Sequence, residues 1–186
     1  MIAVALDESP DDVRPWVDGI TLPVLIDAQH LLTELYAITN VPTVIWIDEE
    51  DRIVRPNCVA FSNDMFAEFT GALAGPHLDA LRAWVREGTA SISTDDARAA
   101  VPDLSDDEVR ARLHFRIATE ARRRGDDDTA RRHFVRAGEL APTDFTIRRA
   151  AMPLMGEDPF GQDFMELYQE WNDAGSPFNG LPPMTD

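Results

Sequence analysis

The stretch Asn40-Val41-Pro42-Thr43-Val44-Ile45-Trp46-Ile47-Asp48 constrains this chain more than any other. Proline has no amide proton to give a sheet ladder, so Pro42 belongs at the mouth of a strand. Thr43–Ile47 is rich in β-branched residues and reads as a buried strand. Asp48-Glu49-Glu50-Asp51 is too polar for anything but a turn, and Arg52–Arg55 returns as a hairpin partner until Pro56.

The residues upstream alternate between strand and helix signals. Ile2–Leu6 is a short apolar run and reads as a buried strand. Ser9 caps a helix with Pro10 at its first position and Asp11 and Asp12 at its positive end; Gly19 stops it. Pro23–Ile26 is a second strand, and Asp27 caps a helix from Gln29 to Ala37 whose face is Leu31, Leu32, Leu35 and Tyr36. This is an α/β pattern with parallel crossovers. A weak helix over Ser62–Leu73 and a better one over Pro76–Glu87 follow, the latter ended by Gly88 with Leu78, Leu81, Trp84 and Val85 on one face. Residues 89–104 are small and polar and read as a linker.

The remainder is helical. Ser105 and Glu108 form a capping box that opens a helix to about Arg124. Gly125 and the three aspartates after it are a turn and cap, and Thr129–Leu140 is a second helix. One amphipathic segment covers Gln162–Trp171, and residues 173–186, rich in proline and glycine, read as an extended tail. The four tryptophans are expected in cores.

Charge bounds the partners. All 17 basic residues are arginine, against 34 acids, for a net charge of −17. A field of that sign repels phosphate backbones, so no nucleic-acid partner is expected. Between Ser105 and Arg149 lie 11 arginines and 9 acids, and the expected partner of this cluster is the acidic first half. No apolar run approaches the roughly 20 residues that cross a bilayer, so no membrane association is expected and the chain reads as cytoplasmic. Cys58 is the one cysteine, which rules out an internal disulfide and a cysteine-rich zinc site.

Together, Ile2–Asp7, Leu22–Asp27, Tyr36-Ala37-Ile38, Asn40–Thr43 and the Ile47–Val54 hairpin resemble the second half of a thioredoxin-like domain of the TlpA/ResA type, in the wider redoxin (AhpC/TSA) superfamily. The resemblance covers about a third of the chain. It implies a cis bond before Pro42, and it implies that Val41, Pro42 and Thr43 position the substrate. That family's first strand leads into a Cys-x-x-Cys motif at a helix start, where the helix dipole makes the first thiol nucleophilic. Nothing here matches that strand or that motif. By resemblance the missing strand lies between Ile2–Leu6 and Thr43–Ile47, and its loss leaves two inner edges unpaired. Closure of the two strands onto each other, a second chain in the gap, or a natural protein that begins further upstream would each answer this. An upstream motif carrying cysteine or selenocysteine is the leading expectation.

A second resemblance is to a tetratricopeptide repeat. Ala118, Ala130, Phe134, Ala137 and Pro142 fall at that motif's small, aromatic and proline positions, and Gly125 at its inter-helix turn. His114 stands where the motif places tryptophan. A lone repeat needs a neighbour, so it is expected to pack on Pro76–Glu87 or on the C-terminal segment.

The reading is therefore a partial thioredoxin-like α/β domain over residues 1–88, a linker over 89–104, a tetratricopeptide-like helical unit over 105–172 and a tail over 173–186. The whole would be a thiol- or selenol-disulfide oxidoreductase, with a protein disulfide or thiol reductant as partner, inactive without its attacking group. The alternative is a non-catalytic scaffold whose helical unit binds a protein partner. No cofactor and no metal are expected: His30, His77, His114 and His133 show no ligand spacing, and no phosphate loop or nucleophile elbow is present. Cys58, with no resolving cysteine, is expected to be a buried thiol.

Overall fold

A computed structural model describes residues 1–61, 63–89 and 92–184. Expectations at residues 62, 90, 91, 185 and 186 lie outside the described residues.

The first half is built from two separate strand pairs. β1 (Ala3–Ala5) pairs in parallel with β2 (Val24–Ile26), Val4 opposite Leu25. Between them lie α1 (Pro10–Val13), capped by the Ser9 hydroxyl accepting from the Asp11 amide, and a 3-10 turn, Arg14–Trp16. α2 (Leu31–Leu35) follows, with the Asp27 carboxylate accepting from the amides of Leu31 and Leu32. β3 (Thr43–Ile47) then pairs antiparallel with β4 (Ile53–Val59). Among the described residues no ladder joins β1 to β3.

Three expectations for this half are corrected. β1 and β2 hold no buried residue, because nothing pairs with the free edge of β1. Half of the apolar face expected on α2 is outward: Leu31 is 52% and Leu35 70% exposed, Leu32 and Tyr36 are half-buried, and the inner side carries Thr33 and the preceding His30. The return strand does not end at Pro56. It runs to Val59 because the register slips by one residue between Trp46↔Arg55 and Val44↔Cys58, a bulge that tolerates a proline without an amide.

α3 (Ala67–Thr70) is the short remnant of the helix expected over Ser62–Leu73, and α4 (Ala74–Glu87) begins two residues early and ends at Gly88, φ 70°. Val85 is exposed; the inner face of α4 carries Ala74 and His77, with Trp84 stacked on the buried Trp46 at 5.2 Å. Trp16, 82% exposed, fills no core. The supposed linker holds α5 (Thr94–Ala99), capped by Ser93.

α6 (Asp106–Arg123) opens with the full Ser105–Glu108 capping box, and α7 (Asp127–Leu140) is capped by Asp126. They pack as an antiparallel hairpin through Ala118, Ala121, Ala130 and Ala137, whose small side chains admit close approach, with Phe115 and Phe134 edge to face at 5.4 Å. α8 (Arg148–Leu154) closes this core with Ala151, helped by Ile147 just before it. α9 (Gln162–Asp173) forms a second cluster, Leu167 against Phe145 and Met152. The hairpin packs on α8, a helix the sequence did not announce, while α9 belongs to the separate cluster.

Asn179 and Leu181 of the tail dock on the first half. Asn57 Nδ2 reaches the carbonyls of Tyr36 at 2.8 Å and Asn179 at 3.1 Å, and the Leu181 amide donates to Asn57 O at 2.7 Å. Leu181 bridges in parallel with Cys58 on β4. The architecture is α/β with a large helical part, its two clusters both in the helical half. Among the described residues no helix is long and apolar enough to cross a membrane.

Candidate functional site

Asn40, Val41, Pro42 and Thr43 form the loop that enters β3. The Val41–Pro42 bond is cis. Asn40 shapes the loop from its own side chain and backbone: its Oδ1 accepts from the Val41 amide at 2.9 Å, and its carbonyl accepts from the Thr43 hydroxyl at 2.6 Å. Val41 is 40% exposed. Its carbonyl accepts no hydrogen bond among the described residues. The loop therefore presents an apolar side chain and a free backbone acceptor.

What holds the loop is the helical half. Arg112, on α6, and Asp144 form a buried ion pair at 2.8 Å. Arg112 also donates to the carbonyls of Glu108 at 3.1 Å and Ile38 at 3.0 Å. The Thr146 hydroxyl lies 2.6 Å from Asp144 Oδ1 and 3.3 Å from Ile38 O. The next residue, Thr39, takes the Phe145 amide on its carbonyl at 2.9 Å. Burial pushes the Asp144 carboxyl up to about 6, outweighing the pull of the guanidinium and of Thr146.

A second seam lies at α2. The His30 ring stacks on Phe115 at 4.4 Å, with Nε2 3.3 Å from Leu6 O. Burial lowers its pKa from the ordinary histidine value. Around it Arg116 pairs with Glu34 at 2.6 Å and Arg122 with Glu8 at 2.5 Å. Part of the arginine cluster is thus spent on the acidic first half.

Between these seams is a cavity of 160 Å³ lined by Leu6, Val41, Phe145, Thr146, Arg149, Ala150 and Pro159. Leu6 follows β1 and Val41 precedes β3, so residues next to both unjoined strands line the cavity. A wider depression of 410 Å³ on α7 is lined by Asp128, Arg131, Arg132 and Val135 of that one helix, far in sequence from the loop.

The residues expected to position a substrate, Val41, Pro42 and Thr43, lie together, but only Val41 lines the cavity. Cys58 is 0% exposed, its Sγ 3.6 Å from Val59 O and 3.7 Å from Pro182 O, and it does not line the cavity. Sequence reasoning missed Arg149, Phe145 and Thr146, which follow the second helix of the hairpin and carry no motif. It also missed that His114 and His133 meet, Nδ1 to Nδ1, at 2.7 Å across the hairpin. Burial and the charges of His133 and Arg136 lower the His114 pKa. The register that aligns Ala118 with Ala130 was the available signal. Among the described residues no cluster of three or more His, Cys, Asp or Glu could hold a metal ion.

No protein-family model matches the chain, and comparison with characterised proteins and with solved structures returned no match.

Proposed function

We propose that this chain is the substrate-docking part of a thioredoxin-like thiol- or selenol-disulfide oxidoreductase, whose attacking group sits on a strand and helix outside the sequence. The observation that carries the reading is the break between β1 and β3. Both strands keep an unpaired edge, and the residues at their near ends, Leu6 and Val41, flank one cavity. An unpaired strand edge is a template for a further strand. A strand parallel to β1 placed in the break would end at that cavity and aim the next residues at Val41. A cysteine or selenocysteine there, at a helix start, would be activated by the helix dipole. It would attack a substrate disulfide whose backbone pairs with the free Val41 carbonyl, forming a mixed disulfide and expelling one thiolate.

The helical half is read as a tetratricopeptide-like unit used internally, its small residues packing α6 on α7 and its Arg112 fixing the loop. A scaffold role is the second reading, favoured by Leu113 and Ile117, exposed one turn apart on α6.

Reading the coding DNA upstream of Met1 in frame, through any UGA codon, tests the proposal. A strand followed by Trp-x-x-Cys or Trp-x-x-Sec is the expected result. The extended chain then reduces insulin disulfides, and the present chain does not. An upstream frame with no such strand, or an extended chain that is folded and inert, refutes the redox reading and leaves the scaffold.

A further inference from the structure

The cavity beside the docking loop is lined by apolar side chains, by Thr146, whose hydroxyl is engaged by Asp144, and by one cation. Arg149 enters it from α8, and among the described residues no negative side chain answers it. Its Nε donates to Pro159 O at 3.2 Å, and its guanidinium carbon lies over the rings of Phe160 at 4.6 Å and Phe164 at 4.9 Å. Among the described residues no carboxylate pairs with it and no hydrogen bond engages its two terminal nitrogens. Burial lowers its pKa, which marks a cation stripped of part of its water.

The guanidinium carbon packs on two phenyl rings, and its planar fork of donors is the geometry that takes a carboxylate through two parallel bonds. A desolvated fork gains more from such a partner than a solvated one. At 160 Å³ the cavity is larger than a single water needs and admits a carboxylate group. From the structure we infer that Arg149 is a carboxylate subsite, selecting low-molecular-mass disulfides that carry a carboxylate a few bonds from sulfur. The inference rests on the docking-loop reading for its redox meaning: Val41 lines the same cavity, so the anchored carboxylate sets the disulfide against the loop. The acid-rich surface of this chain repels such substrates in general, so one desolvated cation supplies the discrimination.

The test is binding by the full chain alone, followed through amide resonances. Titration with the disulfide of mercaptopropionic acid should shift Val41, Thr146 and Ala150 saturably, and its neutral diamide should not. Arg149→Leu should weaken the diacid by at least roughly tenfold, the equivalent of one charge-assisted pair. Arg149→Lys should retain part of the affinity, because the charge stays and the fork is lost. Equal binding of diacid and diamide overturns the inference, as does an Arg149→Leu chain of unchanged circular dichroism that binds like wild type. Shifts confined to Arg131 and Arg132 on α7 overturn it too. If Arg149→Leu does not fold, Arg149→Lys and the diamide decide. Carboxylate binding without turnover in the extended chain would sink the redox reading alone; turnover without carboxylate binding would sink the subsite alone.

Discussion

Phe115 joins the two halves of the molecule, and truncating it tests whether they fold as one unit. Its side chain is 1% exposed, stacked on His30 of the first half and edge to face with Phe134 of the hairpin. Phe115→Ala removes the whole ring from a closed site. The helices on either side of it are fixed by alanine contacts and cannot collapse inward, so the cost belongs in the upper part of the usual range, about 4–5 kcal/mol. That is a large share of the roughly 5–15 kcal/mol that a domain commands. Phe115→Leu keeps most of the volume and should cost about 1–2 kcal/mol. A pH signature accompanies the loss. Burial holds His30 below its ordinary value of 6.5, so its contribution is present above 6.5 and is lost as the pH falls through it. Opening the site hydrates the ring and weakens this acid sensitivity, and the gap between wild type and Phe115→Ala should narrow from pH 7.5 to 5.5. Urea unfolding would be followed by far-ultraviolet circular dichroism for the helices and by the near-ultraviolet signal of the Trp46–Trp84 stack for the first half. Both midpoints should fall together. A lowered helical midpoint with an unmoved tryptophan midpoint would refute the shared core.

The remaining predictions concern the ion pair and the tail. Asp144→Leu leaves the Arg112 guanidinium and the Thr146 amide without their acceptor and should cost about 3–5 kcal/mol; adding Arg112→Met should recover much of it, measured by urea unfolding. Because burial raises the Asp144 carboxyl to about 6 from 3.8, its contribution is fullest below 3.8 and is lost as the pH rises through 6. Asp144→Asn cannot titrate, so wild type should gain about 1 kcal/mol on the variant between pH 7 and pH 5. Gly180, at φ 156°, has the Asn57 carbonyl oxygen and the Phe178 ring where a Cβ would go. Gly180→Ala should therefore release the tail, speeding amide exchange at Leu181 and raising the reactivity of Cys58 toward thiol reagents while helix content stays unchanged.

What the sequence disclosed was whatever depends on neighbours in the chain. Ser9, Ser105 and Asp126 cap helices where their hydroxyl and carboxylate oxygens can reach an amide two or three residues on. Thr43–Ile47 is a strand because five residues suffice to specify it, and the small residues of α6 and α7 forecast a close hairpin. The losses share one cause, contact between distant residues. Arg112 and Asp144 carry no local signal; only the fold sets them in one dry site with Ile38 O. Nothing near Gly180 announced that the tail would return to Asn57, more than a hundred positions away. The candidate site was half legible: Val41 was found from its own loop, whereas Arg149 enters from a helix with no motif.

The error at α2 carries the most meaning. Periodicity says which face of a helix is apolar, not whether anything covers it. Leu31 and Leu35 face outward, as do Leu25 on β2 and Ile2 beside β1. Burying a side chain of this kind is worth about 1.5–3 kcal/mol, so four of them leave several kcal/mol unrealised. Those are the same elements whose strand edge is open, and the hairpin expected to need a neighbour has found one in α8. The deficit is local to the first half, beside the break between β1 and β3. That deficit stands against the local consistency of the helix caps and the hairpin core. An additional strand and helix laid across the break would remove the open edge and cover the apolar face in one step, the arrangement that the docking-loop reading requires.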